Sequence, residues 1–284
     1  MSSPRTSPPS SAPTALVTGA SSGIGEETAR RLRAAGFEVY AAARRVERMA
    51  GLEADGIHVH RMDVTDEESM SAGVQRILDE QGRIDVLVNN AGYGSYGAVE
   101  DVPIDEARRQ FEVNLFGLAR LVQLVLPTMR EQRSGRIVNI SSIGAVYYEP
   151  FGAWYHATKF ALDGFSDSLR VELAPFGVQV VLVHPAGVVT EWNTIARESL
   201  VERSAGGVYA ASARNAARVM ASVDNPRASS GPDVVAKKIV KAATARRPHS
   251  RYAVGKGART IMTSRRVLPD RAMDAVLSRM YLRD

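Results

Sequence analysis

The sequence predicts a doubly wound α/β domain with about seven parallel strands and helices on both faces of the sheet. From residue 14 onward, short apolar runs alternate with longer segments of helical periodicity, as in successive strand–helix–strand units. The runs are largely apolar and are separated by helices, which indicates a parallel sheet covered on both faces. A glycine-rich turn follows the first run, where such sheets commonly bind phosphate groups.

Strands are predicted at residues 14–18, 37–42, 56–60, 84–88, 136–140, 178–183 and 251–254. Helices are predicted at residues 24–35, 66–81, 104–130, 152–173 and 233–245, with further helical segments to the end. Residues 1–13 are rich in serine and proline and predict a disordered tail before a single catalytic domain at 14–284. Residues 191–231 have weak periodicity and are interpreted as a substrate lid or loop, and residues 256–284 as a helical extension.

The composition excludes several kinds of chemistry. There is no cysteine among the 284 residues, so disulfides, thiol nucleophiles and cysteine-ligated metals are excluded. His58 and His60 share one face of a strand without an evident third ligand, so no metal site is expected. The N-terminus lacks the apolar core of a signal peptide, and no apolar run is long enough to span a membrane. We therefore expect a cytoplasmic protein.

The net charge of +5 is unevenly placed. Residues 234–284 hold 13 basic and 3 acidic residues, and the preceding chain is acidic on balance. No nucleic-acid-binding motif accompanies the basic segment, so nucleic acid is not expected as a partner. The last helix could dock on its own domain, on a partner subunit or, least favoured, on an anionic membrane surface.

The glycine-rich turn between the first strand and the first helix has the spacing expected of a phosphate-binding loop. Glycines allow a tight turn and close approach of the backbone to a pyrophosphate, and the helix N-terminus supplies free N–H groups. A purely structural turn is the alternative reading, and the position after the first strand favours the binding role. The candidate residues are Gly19, Ser21, Ser22, Gly23, Ile24 and Gly25.

The end of the second strand indicates which dinucleotide is bound. A fold that prefers NAD places an acidic residue there, to bind the ribose 2′-hydroxyl. This chain instead has Ala43 followed by Arg44 and Arg45. Because a guanidinium can bind a 2′-phosphate that a carboxylate would repel, NADP(H) is predicted. Two solvated surface arginines are the alternative.

Tyr155 and Lys159 form a candidate acid/base pair. Their i, i+4 spacing on a predicted helix places both side chains on one face. A free phenol has a pKa near 10, and a nearby ammonium lowers that pKa by stabilising the phenolate. The pair could therefore exchange a proton with an alcohol or ketone. A chance pair on a helix surface is the alternative, although Lys159 is one of only five lysines.

Taken together, these motifs resemble one family, the short-chain dehydrogenases/reductases in their non-extended form. The matching segments occur in register from residue 13 to about residue 255. They are residues 18–25, Asp63 and Val64, residues 89–92, Asn114, Ser141 and Ser142, Tyr155 with Lys159, and the turn from Pro185 to Thr190. The segments around Tyr155 and Thr190 are most similar to steroid- and retinol-type members and their bacterial relatives.

The resemblance implies a Rossmann fold and a role for each matching residue. Tyr155 would transfer the proton, and Lys159 would lower the tyrosine pKa and hold the nicotinamide ribose. Ser142, thirteen residues before Tyr155, would bind the substrate oxygen, and Ser141 is the alternative, with a spacing that fits less well. Asn114 would hold a water of a proton relay, although a structural amide is an equally compatible reading. The further cofactor contacts would come from Asp63, Val64, Asn90, Ala91, Gly92, Pro185, Val188 and Thr190.

One residue departs from the family pattern, and a group of aromatic residues bears on the substrate pocket. Ala186 stands where the family usually has glycine, so it would be strained if the turn required a positive φ. Tyr147, Tyr148, Phe151, Trp154 and Trp192 flank the predicted reacting centre, which indicates an apolar pocket or simple loop packing.

The predicted function is NADP(H)-dependent interconversion of an alcohol and a ketone or aldehyde on a small, lipophilic substrate. A non-catalytic NADP(H)-binding regulator and a biosynthetic tailoring ketoreductase are the alternatives. A homo-oligomer is expected, because the long central helices of the family commonly pair.

Overall fold

A computed structural model describes residues 12–282 of the chain. All but the last two residues of the tail predicted at 1–13 lie outside the described residues. Seven parallel strands form one sheet, in the order β3-β2-β1-β4-β5-β6-β7. The strands are β1 (Thr14–Thr18), β2 (Glu38–Ala43), β3 (His58–Arg61), β4 (Val86–Asn89), β5 (Gly135–Ile140), β6 (Val178–Pro185) and β7 (Arg251–Val254). The doubly wound prediction is confirmed.

Helices cover both faces of this sheet. They are α1 (Gly23–Ala34), α2 (Ala50–Ala54), α3 (Glu67–Gln81), α4 (Ile104–Phe111), α5 (Gly117–Glu131), α6 (Ala153–Leu173), α7 (Glu191–Ser204), α8 (Ala210–Ala221), α9 (Pro232–Thr244), α10 (Ala258–Val267) and α11 (Asp270–Tyr281). No helix in the described part of the chain is long and apolar enough to cross a membrane.

The core lies in two layers, one on each face of the sheet. Ala15 and Val17 of β1 pack in the layer that contains Leu32 of α1, whereas Leu16 packs in the opposite layer with Leu121 of α5. All five residues of β1 are buried. Since adjacent strand residues point to opposite faces, a continuously apolar strand fits only a sheet covered on both sides.

A third apolar cluster covers the C-terminal end of the sheet. It joins Tyr96 and Tyr155 to Leu200 of α7 and to Leu277 and Tyr281 of α11. The last helix therefore docks on its own domain, the first of the three partners considered for it, and the basic segment contributes to this cluster through its apolar residues.

Two elements differ from the sequence prediction. Residues 104–131 do not form one regular helix, because Glu112–Phe116 form a π-helical segment between α4 and α5. Residues 191–231 are largely helical, as α7 and α8, rather than a loop. The buried stripe of α7 is Asn193, Ala196, Leu200 and Ser204, which has helical spacing but only one large apolar residue.

Candidate active site

A single cavity of about 500 Å³ runs along the carboxyl ends of the strands. It is lined by the glycine-rich turn at one end and by Ser142, Tyr155 and Lys159 further along. Asn114 and Gly25 are the two predicted site residues outside its lining. This is where open α/β sheets bind ligands, at the point where the strand order reverses. The fold thus brings the predicted cofactor and catalytic residues to one cleft.

The glycine turn is shaped by close backbone packing. Gly19 and Gly23 have positive φ values of 65° and 59°. A Cβ atom at Gly25 would lie 2.4 Å from the Gly19 carbonyl oxygen, so no larger residue fits there. Asn90 braces the turn, because its amide donates to the carbonyl oxygens of Thr18 and Gly19 at 3.0 and 3.2 Å. The turn is a cradle whose open side faces the cleft, as a pyrophosphate requires.

Arg44 and Arg45 lie at the end of β2 with exposed side chains, at the rim of the cavity. Two residues without a predicted role accompany them. Glu191, the first residue of α7, pairs with Arg48 at 3.0 Å and with Arg45 at 3.8 Å. These partners are more than 140 residues apart in sequence, so only the fold could reveal the pairing.

Asp63 and Val64 follow β3 and line the same end of the cavity. Burial acts to raise the pKa of Asp63, but hydrogen bonds from the Thr65 amide and hydroxyl hold that pKa below its usual value. Asp63 is therefore an anchored, ionised acceptor at neutral pH. An acceptor of this kind can bind an amino group, as the family resemblance implies for the adenine.

Ser142 follows β5 and Tyr155 lies in the first turn of α6. The Ser142 hydroxyl accepts from the Gly144 amide at 3.0 Å and is hydrogen-bonded to Tyr155. Burial raises the pKa of Tyr155, the Ser142 hydrogen bond lowers it, and the charge of Glu149 raises it, with burial dominant. The sequence had predicted a lowered pKa, and in this structure that prediction is wrong.

The reason lies in the position of Lys159. Its Nζ donates to the Ile140 carbonyl at 2.9 Å and lies 5.9 Å from the centre of the Tyr155 ring. Burial lowers the pKa of Lys159 to about 8, and the charge of Asp163 opposes that shift. The ammonium is therefore held by the backbone rather than by the tyrosine hydroxyl, and burial dominates the direction of the shift in the tyrosine pKa.

Asn114 lies in the π-helical segment. It accepts from the Tyr93 amide at 3.0 Å and donates to the Tyr93 carbonyl at 2.9 Å and the Thr158 hydroxyl at 3.2 Å. The structural reading of this amide is thus observed. A Cβ at Gly92 would lie 3.1 Å from Asn114 Oδ1 and 3.9 Å from Lys159 Nζ, so both side chains lie close to Gly92. π-Helical segments are frequent at functional sites because they displace a side chain locally.

The turn after β6 forms the opposite wall of the cleft. Ala186 does not have a positive φ, and its amide donates to the Val254 carbonyl at 2.9 Å as an extension of the sheet. The strain considered for Ala186 is therefore absent at that position. Pro185, Val188 and Thr190 line the cavity, and Thr190 lies close to Gly23 across the cleft.

Aromatic side chains enclose the cavity beyond Tyr155. The Tyr155 ring centre lies 4.9 Å from that of Trp192 and 5.9 Å from that of Tyr96. Tyr147 and Tyr281 also line this end. Tyr281 comes from the last helix, which the sequence linked to no site. Tyr281 is far from Tyr155 in the sequence, so no local sequence pattern could have linked it to the site.

The chain belongs to the short-chain dehydrogenases, since the sequence profile of that family matches residues 13–200. A probable short-chain type dehydrogenase/reductase of Helicobacter pylori, VdlC, is 35% identical over 94% of this chain and 97% of its own. A 3-ketodihydrosphingosine reductase of Bacteroides thetaiotaomicron is 43% identical over 60% and 62%. Human retinol dehydrogenase 8 is 38% identical over 66% and 64%. The resemblance inferred from the motifs is confirmed.

Solved structures agree with this assignment. A short-chain dehydrogenase from Streptomyces avermitilis has a TM-score of 0.75 and 34% identity, covering 95% of this chain and 96% of that one. A metagenomic short-chain oxidoreductase in complex with NADP has a TM-score of 0.65 and 30% identity, covering 84% and 95%. A 3-ketoacyl-(acyl-carrier-protein) reductase from Brucella melitensis complexed with NADH has a TM-score of 0.68 and 28% identity, covering 82% of this chain and 91% of that one. The family binds nicotinamide cofactors of both kinds.

Proposed function

We propose that this oxidoreductase interconverts a ketone or aldehyde and the corresponding alcohol with NADP(H), on a lipophilic substrate. The observation that carries the proposal is that Ser142, Tyr155 and Lys159 share one cavity with the glycine turn. A retinol dehydrogenase and a 3-ketodihydrosphingosine reductase among the relatives support an alcohol/ketone pair. The aromatic walls of the cavity support a lipophilic skeleton.

The glycine turn, Asp63 and Val64, residues 90–92 and the turn from Pro185 to Thr190 would hold the cofactor. The cradle fits, since glycine turns at Gly19 and Gly23 leave the backbone open to a pyrophosphate. Bound nicotinamide supplies or accepts the hydride at the substrate carbon. Arg44 and Arg45 favour NADP(H), because their exposed guanidinium groups can bind a 2′-phosphate, with Arg48 beside them.

The chain's own residues would handle the proton and the oxygen. Tyr155 stays a neutral phenol at ordinary pH because burial raises its pKa, so its hydroxyl carries the proton that a carbonyl oxygen takes up as charge develops on it. Ser142 stabilises the same oxygen by a hydrogen bond. In the reverse direction the phenol must first release its own proton, and the resulting Tyr155 phenolate accepts the hydroxyl proton of the alcohol. Lys159 and Asn114 hold the cofactor and a relay water, respectively.

The test is a screen for oxidation of NADPH and of NADH with steroid, retinoid, aliphatic and aromatic ketones. We expect NADPH to be preferred and the preference to fall about tenfold or more in Arg44→Ala, which removes a charge-assisted contact. Arg108→Ala is the matched control, since Arg108 is exposed and pairs with Asp105 outside the cavity. A non-catalytic regulator would bind NADPH but oxidise it with none of the ketones. An unchanged preference in Arg44→Ala would contradict the assignment of NADP(H).

A further inference from the structure

Glu149 is a charged group that the proposed chemistry does not use. It lines the cavity and accepts hydrogen bonds from the hydroxyls of Tyr96 at 2.8 Å and Tyr281 at 2.7 Å. Both partners are neutral, so they leave the negative charge of the carboxylate uncompensated. The two hydroxyls also occupy only part of its acceptor capacity, which is about four lone pairs.

The two other carboxylates that line the cavity, Glu191 and Asp63, have arginine side chains close enough to offset their charge. Glu191 pairs with Arg48 and Arg45, and Asp63 is held by Thr65. Glu149 takes part in no recorded ion pair with another described residue. Glu149 lies at the end of the cavity that contains the reacting centre, because Tyr96, its hydrogen-bond partner, packs against Tyr155. One uncompensated anion therefore lies at the substrate end.

The backbone at Glu149 is held in a fixed position. The amide of Glu149 donates to His156 Nε2 at 3.1 Å. Nε2 therefore carries the lone pair, and Nδ1 of the same ring donates to the Gly144 carbonyl at 2.9 Å. The neighbouring Phe151 has a positive φ of 68°, and its carbonyl accepts from the Gly97 amide at 2.9 Å. A strained, hydrogen-bonded loop of this kind persists where the surrounding structure fixes it.

The negative charge of Glu149 acts on the tyrosines at the reacting centre. Burial raises the pKa of Tyr155, and the charge of Glu149 adds to that increase. Burial likewise raises the pKa of Tyr147 to about 12, again with a contribution from Glu149. Aromatic faces surround the same space, and such faces attract a cation by their quadrupole. An anion among aromatic rings is the chemistry that recognises an ammonium group.

We propose that Glu149, with the aromatic rings around it, selects ketones and alcohols that carry an ammonium group near the carbonyl or hydroxyl carbon. This deepens and rests on the proposed function, since it names the substrate class of the same site. Tyr96 and Tyr281 act as positioning residues, because they orient the carboxylate through their hydroxyls. The last helix thus contributes to specificity through Tyr281.

The test uses two ketones that differ only in charge, one with a trimethylammonium group and one with the isosteric tert-butyl group. For the wild-type enzyme with NADPH, we expect kcat/KM to favour the charged ketone by roughly tenfold or more. In Glu149→Gln, which removes the charge of the carboxylate, that ratio should fall about tenfold from its wild-type value. Because the ratio compares two substrates of one variant, a general loss of folding or turnover cancels.

Tyr281→Phe is the matched control. It removes one hydroxyl from the carboxylate but leaves the charge, so its ratio should remain in favour of the charged ketone even where both rates fall. A Glu149→Gln ratio equal to that of the wild type would overturn the proposal and leave Glu149 as an anchor for the last helix. Equal reduction of both ketones by the wild type would overturn it also, while the proposed function would stand.

Calorimetric titration of both ketones in the presence of NADP⁺, where no reduction can occur, separates binding from turnover. Tighter binding of the charged ketone that is lost in Glu149→Gln, without any turnover with NADPH, would support the site and contradict the proposed reaction. Equal binding of the two ketones by the wild type would contradict the site itself.

Discussion

Ser141 and Ser142 are neighbours in sequence, yet their hydroxyls have different surroundings. Ser141 donates to Asp163 at 2.7 Å in a buried network that also contains His184, which lies 2.8 Å from Asp163. Ser142 faces the cavity and Tyr155. The sequence favoured Ser142 on spacing alone, and the structure supplies a physical reason, because the Ser141 hydroxyl is already committed to a carboxylate.

At this residue scale the two serines form a matched pair for mutation. We expect Ser142→Ala to lower kcat about 10² to 10³-fold, because it removes a hydrogen bond to the oxygen that gains charge. Ser141→Ala should chiefly lower stability, by about 1 kcal/mol, since it breaks a buried hydrogen bond. Steady-state kinetics and thermal unfolding of both variants decide the matter. A larger loss of kcat in Ser141→Ala would reverse the assignment.

At the scale of elements, the sheet was the most predictable part of the molecule. β1 and β7 were predicted at their observed bounds, and the other strands within about two residues, because most buried parallel strands are rich in apolar residues. The glycine turn and the Tyr155–Lys159 pair were predictable because each follows a strand that could be recognised from its apolar residues. Apolar residues identify the strands well and the helices after residue 191 poorly.

The segment from residue 191 to residue 231 could not be recognised as helical from its apolar residues. α8 buries Ala213, Ala216 and Ala217, which are too small to define an apolar face in sequence. The π-helical segment at Glu112–Phe116 was missed because a π-helical turn holds one more residue than an α-helical turn but is built from the same kinds of residue. Contacts such as Glu149 with Tyr281 join residues far apart in sequence, and therefore depend on the complete fold. The role of residues 191–231 as a substrate lid stays a prediction.

The docking of α11 yields a prediction at the same scale. Leu277 is 4% exposed in the third apolar cluster, whereas its neighbour Val276 is 50% exposed. Leu277→Ala should lower the free energy of unfolding by about 2–4 kcal/mol, because it leaves a cavity in packed surroundings. Val276→Ala, the matched control, should change it by less than about 0.5 kcal/mol. Equal effects in chemical unfolding would show that the helix is not docked as described.

At the scale of the whole molecule, the stability of the fold depends on pH through Lys159. Burial lowers the pKa of Lys159 from the ordinary 10.5 to about 8 in the folded state. Below about pH 8 the folded protein must hold a buried charge that the unfolded chain keeps in water, so the group destabilises the fold there. Between about pH 8 and pH 10.5 the folded protein has lost this proton while the unfolded chain still holds it, so the free energy of unfolding rises with pH. Above pH 10.5 both states are deprotonated and the destabilisation is gone.

Replacement of this lysine by methionine should therefore stabilise the fold while it abolishes activity. At pH 7 we expect Lys159→Met to raise the free energy of unfolding by about 2 kcal/mol, which allows for the lost hydrogen bond to Ile140. The difference from the wild type should shrink as pH rises from 8 toward 10.5. Urea unfolding across this range provides the measurement. A wild-type protein more stable than the variant at pH 7 would contradict this account.

The predicted homo-oligomer and cytoplasmic location remain predictions.

We propose that Tyr155 transfers the proton at a nicotinamide-dependent reacting centre. This proposal is tested most directly by single-turnover oxidation of bound NADPH with a ketone that the wild-type enzyme reduces, measured in Tyr155→Phe. We predict a fall in the rate of hydride transfer of about 10² to 10⁴-fold with NADPH affinity unchanged, because phenylalanine keeps the ring and removes only the hydroxyl. Turnover near the wild-type rate in this variant would contradict the account.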